Sequence, residues 1–413
     1  MSPVLVIAFK FPPFAGVGGF RWTKMVKYLA RLGREVHVVT VDWDASGPGI
    51  LPEKYYSPLV HVHRIASGFP HKQLHYRGND PSCIALREEA RTQMMDSGFF
   101  DEAGAWGETL IPACRELIAR HGIRLAIATG HPFHANEWAA ALKAQTPGLK
   151  LIQDFRDLIS SLMVNTAATQ DDCLAMQRRC VEQADAVVAI SAGMVRILQQ
   201  ETPSDIYHVI RNGFDPERLE AFRKSPEDRR PTAPLSFCYL GSLGFGRHLV
   251  MDSFLQAVAR VAARGRRILV TMCGDNHGYI AKKFRNLVDA RILRLHPSMP
   301  WDRAMRLAME SDFGLNLLSP PMGHYLPTKI YDYVGGRLPC LSIGPEGDTS
   351  ELLRERDCGV ALPQDQTVIA RAMDTWCDTL PRFSFKDVDQ LGVDRLAAEY
   401  NTLINRIVGE PHG

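Results

Sequence analysis

Apolar residues in this chain come in short uninterrupted runs, separated by glycine-containing loops and by helical patterns. Val4 to Phe9 is the first such run, and a Gly/Pro-rich loop follows it from Lys10 to Gly19. A run without polar alternation is typical of a parallel strand that is buried on both faces. Arg21 to Leu32 repeats apolar residues at helical spacing, Gly33 is suited to end that helix, and Glu35 to Val41 is the next strand. This order predicts the start of a doubly wound sheet.

The same alternation continues along the chain and starts again after a polar stretch. Arg223 to Pro234 is charged and proline-containing, which is typical of a linker. Ser236 to Leu240 and Leu249 to Ala263 then repeat strand and helix around a second glycine loop, and Asp394 to Val408 is a final amphipathic helix. Further strands are predicted at Leu125–Thr129, Leu149–Asp154, Ala186–Ile190, Tyr207–Ile210, Ile268–Cys273, Ile292–Leu295, Phe313–Leu317 and Cys340–Ile343.

The pattern therefore predicts an α/β protein with two doubly wound, Rossmann-like domains facing across a cleft. We place the first domain at residues 1–213, with a C-terminal helix at 391–413 packing back on it, and the second at residues 214–390. Open α/β sheets bind ligands beyond the carboxyl ends of their strands, and glycine loops that meet helix N-termini favour phosphate. A two-domain enzyme or binding protein for a phosphate-bearing ligand is expected, without the reaction being identified.

Composition excludes several other classes of protein. The chain has 48 Lys and Arg against 46 Asp and Glu, which argues against a nucleic-acid-binding protein with a large basic field. Its nine cysteines are scattered without a Cys-x-x-Cys, as expected for reduced thiols in the cytoplasm. Met1 to Phe9 is interpreted as a buried strand rather than a signal peptide, and no run of about 18 apolar residues occurs. We expect a cytoplasmic protein with at most peripheral contact at the inner membrane face.

Histidines are concentrated in a segment after the second strand, which we expect to be irregular as far as Pro81. His61, His63, His71 and His75 have spacings that alternate between strand-like and helix-like. No cysteine or carboxylate completes a recognisable ligand set. From the sequence we therefore predict no metal site.

Several strings, in order along the chain, carry a family resemblance. They are Phe11–Arg21, Asp154–Asp157, Ala184–Ser191, Val209–Asp215, Tyr239–Leu243 and Leu326–Pro339. Together they resemble bacterial GT-B glycosyltransferases related to glycosyltransferase family 4, over about residues 3–362. The Asp-Phe-Arg-Asp string resembles the branch that builds surface polysaccharides. Each string is weak alone, and the ordered set is specific.

The resemblance implies a retaining glycosyltransferase that needs no metal or other cofactor. Its donor would be a nucleotide diphosphate sugar, linked to UDP, GDP or dTDP, and its acceptor a glycan, a lipid-linked molecule or a natural product. Negative charge develops on the leaving diphosphate, where cations and oriented backbone N–H groups stabilise it.

The resemblance also implies the residues that bind the diphosphate. Gly18 and Gly19 would bring the backbone close to it, or would only form a flexible turn. Ser242 stands where the family usually has an arginine, so Arg247 is the better cation, with a surface arginine as the alternative. Lys329 lies near a helix start, where a cation opposes the helix dipole, and this favours a ligand role.

The family's Glu-x7-Glu pattern is only partly present. Its second carboxylate, which accepts hydrogen bonds from the ribose, falls on Asp332, and a carboxylate can accept both ribose hydroxyls. A solvated helix acid is the alternative. Its first glutamate, at the donor sugar, falls on His324, which indicates a donor different from that of commoner relatives.

The remaining candidates come after strands of the first domain. A histidine there can orient the acceptor hydroxyl or the transferred sugar, with a pKa close to the working range. For the Asp-Phe-Arg-Asp string, the alternative is an Arg–Asp pair buried beneath the site. Arg21 would contact phosphate or acceptor, or would be solvated. The candidates are His131 (preferred), His134 and Asp157 for catalysis, and Arg21, Asp154 and Arg156 for the acceptor or cleft.

Two other functions share this fold. A sugar-nucleotide 2-epimerase would need additional acid–base carboxylates, and the Asp-Phe-Arg-Asp string fits a transferase better. A catalytically degenerate partner protein that binds donor without turnover stays open because Ser242 and His324 depart from the family pattern.

Overall fold

The computed structural model describes residues 1–14, 16–43, 57–75, 80–161, 169–223, 234–274 and 278–410. The chain divides into two compact units, which are residues 1–211 with 394–413, and residues 212–393. Each unit is built around one parallel sheet. Most of the predicted linker, residues 224–233, lies outside the described residues.

The first unit contains seven parallel strands. They are β1 (Val4–Ile7), β2 (Val36–Val41), β3 (Val60–Ile65), β4 (Leu125–Gly130), β5 (Lys150–Phe155), β6 (Ala186–Ala189) and β7 (Tyr207–Val209). Their order in the sheet is β3-β2-β1-β4-β5-β6-β7. Every residue of β1, β2 and β4 is buried, because helices cover both faces of the sheet, and this explains their mostly apolar sequences, although β2 also buries His37 and Thr40.

Helices connect these strands, and the last helix of the chain returns to the same unit. They are α1 (Val17–Arg31), α2 (His71–Leu74), α3 (Pro81–Asp96), α4 (Gly107–His121), α5 (His134–Ala144), α6 (Gln170–Glu182), α7 (Ala192–Glu201) and, at the end of the chain, α16 (Val393–Val408). Trp22 of α1 contacts Tyr400 of α16 edge-on, with 5.2 Å between ring centroids. The fully buried Arg34 donates to Asn401 and Asn405.

The second unit repeats the arrangement with six parallel strands. They are β8 (Leu235–Leu240), β9 (Ile268–Cys273), β10 (Leu293–His296), β11 (Phe313–Leu317), β12 (Cys340–Ile343) and β13 (Gly359–Leu362), in the order β10-β9-β8-β11-β12-β13. Its helices are α8 (Pro216–Leu219), α9 (Arg247–Ala263), α10 (Gly278–Lys283), α11 (Arg285–Asp289), α12 (Trp301–Met309), α13 (Thr328–Gly335), α14 (Asp348–Glu355) and α15 (Gln366–Asp378). Phe313 stacks between Phe237 and Trp376 in its core.

The predicted fold class, with two doubly wound Rossmann-like sheets, is confirmed. In each sheet the strand order reverses once, between β1 and β4 and between β8 and β11, and ligands of such sheets bind at the carboxyl ends next to that reversal. Two strands are missing from the sequence prediction, β3 and β13, and the expectation of an irregular segment up to Pro81 is wrong for residues 60–65 and 71–74. Within the described ranges, no helix is both long and apolar enough to cross a bilayer.

Candidate functional sites

A lysine, a histidine and a glutamate meet where the strand order of the first sheet reverses. Lys10 follows β1 and His131 follows β4, and the Lys10 Nζ lies 3.2 Å from His131 Nδ1. The same ammonium lies 2.9 Å from Glu102 Oε1, and both partners of this ion pair are largely buried. Lys10, His131 and Glu102 therefore form one charged cluster at the carboxyl edge of the sheet.

The surroundings of His131 determine its protonation and tautomer. Burial and the charge of Lys10 lower the pKa of His131. An ammonium can only donate, so Nδ1 accepts from Lys10 and the ring proton is on Nε2. His131 is partly exposed. The preferred catalytic candidate is thus a neutral imidazole held by a lysine, with a ring N–H available as donor.

His134, the second predicted catalytic histidine, is enclosed by the protein. Its side chain is 4% exposed, and its Nδ1 lies 3.0 Å from Asp101 Oδ1. Asp101 also accepts from the backbone N–H groups of Phe133 and His134. The ring of Phe99 contacts the imidazole edge-on. This arrangement fixes the start of α5 and leaves little imidazole surface for a substrate, so the geometry does not favour the predicted catalytic role.

Arg21 and Asp154 form a buried ion pair. Arg21 donates from Nε and Nη2 to the Asp154 carboxylate at 3.0 to 3.2 Å, and Asp154 is fully buried. The same guanidinium donates to the backbone carbonyls of Ile210 and Arg211. The pair ties α1 to β5 and to the segment after β7. The expectation that Arg21 is solvated is therefore wrong, its contact to phosphate or acceptor stays a prediction, and Asp154 lies beneath the edge rather than on it.

Arg156, two residues further on, binds backbone instead of a carboxylate. It donates to the carbonyls of Gly18 at 2.5 Å, Gly130 at 2.6 Å and His131 at 3.0 Å. Burial lowers the pKa of this guanidinium. Arg156 thus joins the glycine loop to the loop that carries His131. The buried Arg–Asp pair anticipated for this string exists, but its arginine is Arg21.

Asp157 and Gly18 complete the edge of the first unit. The charge of Asp157 raises the pKa of both His131 and Arg156, which indicates that the carboxylate lies near them. A Cβ atom on Gly18 would lie 2.8 Å from Lys10 Cδ, and one on Gly19 would lie 3.4 Å from the Lys10 carbonyl oxygen. The glycines therefore let the start of α1 approach Lys10 closely, a packing role that leaves their predicted contact to diphosphate a prediction.

In the second unit, the ammonium of Lys329 is buried without a hydrogen-bond partner among the described residues. Lys329 lies in the first turn of α13, as predicted, and its Nζ lies 3.9 Å from the centroid of the Tyr239 ring. A Cβ on Gly241, in the loop after β8, would lie 3.7 Å from this nitrogen. Burial and the charge of Arg247 lower the pKa of Lys329 to about 7. A buried amine without a partner is costly, and an anionic ligand would supply the hydrogen bonds that this nitrogen can make.

Arg247 brings a second cation to the same edge of this sheet. It is the first residue of α9, and its Nε donates to the Gly244 carbonyl at 2.8 Å. Gly246, with φ of 76°, precedes it and provides no side-chain cap for the N-terminal N–H groups. A Cβ on Gly246 would lie 3.2 Å from Ser319 Cβ, so the loops after β8 and β11 meet here. Among the described groups that shift the pKa of Lys329, no carboxylate is present.

The predicted ribose carboxylate, Asp332, follows Lys329 by three residues on α13. Its Oδ2 accepts a hydrogen bond of 3.0 Å from the indole of Trp301, the first residue of α12. The guanidinium of Arg218 lies 3.9 Å from the Trp301 ring. His324, the candidate at the donor sugar, is half-buried and contacts the ring of Tyr325. The geometry gives Asp332 a protein partner, and its contact to ribose stays a prediction.

Sequence reasoning missed Lys10 and Glu102. The only signal for Lys10 is its position directly after a buried apolar run, at the carboxyl end of a strand next to the reversal. Glu102 comes from an irregular segment before α4, and nothing in the local sequence pairs it with residues 92 positions earlier.

Comparison with known proteins identifies the type of enzyme. Residues 18–213 match the family model of the glycosyl transferase 4-like domain. The chain is a glycosyltransferase. A search of curated proteins finds no sequence match to this glycosyltransferase.

Solved structures of distant proteins share the fold of this glycosyltransferase over nearly its whole length. Sucrose-phosphate synthase from Thermosynechococcus elongatus has 15% identity and a TM-score of 0.69, covering 99% of this chain and 100% of that chain. HepE from Anabaena, solved in complex with UDP, has 13% identity and a TM-score of 0.63, covering 98% and 100%. WaaG, a glycosyltransferase involved in lipopolysaccharide biosynthesis, has 13% identity and a TM-score of 0.56, covering 98% and 100%. At these identities the likeness shows the fold, which is the predicted GT-B fold.

Proposed function

We propose that this glycosyltransferase moves a sugar from a nucleoside diphosphate donor, bound by the second unit, to an acceptor bound at the carboxyl edge of the first. The observation that carries the proposal is the buried, unpartnered ammonium of Lys329 beside Arg247. An anion with several oxygen atoms would accept hydrogen bonds from this ammonium. Its negative charge would also reduce the repulsion between Lys329 and Arg247.

A diphosphate fits the chemistry of that edge. Two cations and the N-terminal N–H groups of α9, which have no side-chain cap, stabilise the negative charge that develops on the leaving group. They provide this stabilisation without a metal ion, in line with a metal-independent transfer. Asp332 would accept the ribose hydroxyls while Trp301 holds its other oxygen, and His324 would contact the donor sugar.

UDP is the first nucleotide to test, because the fold relative HepE was solved in complex with it. GDP and dTDP are the alternatives, since none of the candidate residues contacts a base. We propose retention of configuration at the anomeric carbon, in agreement with the resemblance to family 4.

On the acceptor side, the cluster of Lys10, Glu102 and His131 would position the reacting groups. The Nε2–H of His131 can donate to a sugar or acceptor oxygen, and the nearby Asp157 would accept a hydrogen bond from the substrate. A surface glycan or lipid-linked acceptor is our preferred class, because WaaG takes part in lipopolysaccharide biosynthesis and shares the fold. We expect the enzyme in the cytoplasm, in at most peripheral contact with the inner membrane face.

Calorimetry with UDP, GDP and dTDP tests the donor site directly. We expect saturable binding of at least one nucleotide to the wild type and much weaker binding to Lys329→Met. Lys282→Met is the matched control, because Lys282 is an exposed lysine of the same unit. Folded wild-type protein that binds none of the three nucleotides would refute the proposal.

The reaction itself is tested with the nucleotide sugars of the base that binds. Donor hydrolysis or transfer with retained anomeric configuration, followed by NMR of the released sugar, is expected. Inverted configuration would contradict the retaining mechanism, and a product changed at the sugar's second carbon would favour an epimerase instead.

A further inference from the structure

Histidines from two strands and one helix gather with a glutamate at the amino end of the first sheet. His37 of β2 and His61 of β3 are paired in the parallel register, and paired residues of neighbouring strands point to the same face. His63 follows two positions later on that face, and Glu35 directly precedes β2. His121 at the end of α4 contacts the ring of His37. This cluster lies at the edge opposite to the carboxyl ends that carry the candidate sites.

Two of the three distances between the potential ligand atoms match a coordination shell. Glu35 Oε1 lies 3.2 Å from His37 Nε2 and 3.2 Å from His61 Nε2. The three atoms all lie within 4.8 Å of one another. Tetrahedral Zn²⁺ with bonds of about 2.0–2.1 Å to nitrogen and oxygen places its ligand atoms about 3.3–3.4 Å apart. We propose that Glu35, His37 and His61 bind one divalent transition-metal ion of the Zn²⁺ type.

A contact with a neighbouring histidine orients His37, the buried residue among the three proposed metal ligands. His37 is 1% exposed, and its Nδ1 lies 3.1 Å from His63 Nε2. When Nδ1–H donates to His63, the Nε2 lone pair of His37 points to Glu35, which is the tautomer that a metal requires. Metal-ligating histidines commonly donate their other ring N–H in this way.

The types of the three side chains favour a transition metal. Two imidazoles and one carboxylate suit Zn²⁺ or Ni²⁺ better than Mg²⁺ or Ca²⁺, which prefer oxygen ligands only.

The sequence prediction of no metal site considered His61 and His63 together with His71 and His75, and these four do not meet. His71 is held by Ser67 and by the Asp42 carbonyl, and His75 lies against Glu102. The proposed ligands His37 and Glu35 come from the preceding strand and its entry. A metal ion here would join the start of β2 to the edge strand β3, and would therefore stabilise the first unit without taking part in sugar transfer.

Calorimetric titration of Zn²⁺ into metal-free protein without a histidine tag tests the proposal. We expect one Zn²⁺ per chain and a higher thermal midpoint when Zn²⁺ is present. His61→Ala and Glu35→Gln should each weaken binding by about tenfold or more. Both side chains are partly exposed, so the variants are expected to fold, and circular dichroism checks this. His208→Ala, at the opposite edge strand of the same sheet, should bind Zn²⁺ like the wild type.

Two outcomes would overturn the proposal. One is the absence of saturable Zn²⁺ binding to the wild type, which would mean that Glu35 only accepts hydrogen bonds from the two imidazoles. The other is binding that persists in both variants. Co²⁺ locates such a site, because a thiolate charge-transfer band would place the metal at cysteines, of which Cys83 and Cys377 are partly exposed.

Discussion

Lys329→Met is expected to make the second unit more stable and its nucleotide binding weaker. The ammonium of Lys329 is buried against Tyr239 without a hydrogen-bond partner in the described part of the chain, so the free protein holds an unfavourable amine there. Methionine fills a similar volume without the charge. A residue that is present for packing would show the opposite result, because its replacement would lower stability and leave binding unchanged.

The size of the effect follows from the pKa of Lys329, which is about 7 against an unperturbed value near 10.4. The unfolded chain binds more protons than the folded one between these two values, so stability rises with pH through this window. The cost of keeping Lys329 is roughly 4–5 kcal/mol at or below about pH 7, and roughly 2 kcal/mol near pH 9. The free energy of unfolding of Lys329→Met should exceed that of the wild type by these amounts, and the difference should shrink as pH rises.

Binding should respond in the opposite direction. Loss of one charge-assisted hydrogen bond costs about 1.5–3 kcal/mol, which is about 10- to 150-fold in the dissociation constant of UDP. A bound diphosphate favours the protonated amine, so wild-type binding takes up a proton above about pH 7. Affinity should then fall by up to about tenfold per pH unit, and this dependence should be absent from Lys329→Met.

Hydrogen exchange followed by mass spectrometry measures stability in the second unit alone, through peptides that contain β8 and α13. This readout suits a chain of two units, which need not unfold together. Calorimetry at several pH values, in buffers of different ionisation enthalpy, measures UDP affinity and proton uptake. The reasoning is refuted if Lys329→Met exchanges as fast as the wild type or faster, or if UDP affinity is independent of pH and of the substitution.

Other substitutions separate structural from functional groups. Asp154→Asn leaves the guanidinium of Arg21 buried without a counter-charge and should cost about 3–5 kcal/mol, seen as a lower thermal midpoint of the first unit; an unchanged midpoint would contradict the ion pair. Asp332→Asn should weaken UDP binding by about 1–3 kcal/mol in calorimetry, whereas Trp301→Phe removes only the indole donor and should have a smaller effect. His131→Ala should lower kcat by about 100-fold or more at unchanged UDP affinity, as measured by steady-state kinetics with the accepted donor. An unchanged kcat would mean that the histidine has only a packing role.

Strands buried on both faces were predictable because burial favours a sequence in which nearly all residues are apolar. Phe313–Leu317 and Cys340–Ile343 were found with the bounds that the structure has. The strand β3 was missed because it is an edge strand whose valines alternate with histidines, so its apolar residues never form a run. Its valines do alternate with a period of two, which is typical of a half-buried strand, but the sequence analysis treated its histidines only as possible metal ligands.

The candidate sites were predictable only as positions at strand ends and helix starts. That Lys329 lies near the start of a helix follows from its local sequence. The burial of its ammonium depends on Tyr239, a residue of β8 that lies 90 positions earlier. Arg21 and Asp154 are 133 positions apart, so their pairing could not be inferred from spacing. Such polar contacts depend on the register of the sheet and on helix packing, which local patterns do not specify.

The return of α16 to the first unit has a consequence for synthesis of the chain on the ribosome. Trp22 and the buried Arg34 receive Tyr400, Asn401 and Asn405 as partners only after residues 394–410 have been made. Residues 212–393 are translated before that, so the first unit is completed only after the second has been made. Domains generally fold as they emerge from the ribosome. Here part of the surface of the first unit stays uncovered while about 180 further residues are translated.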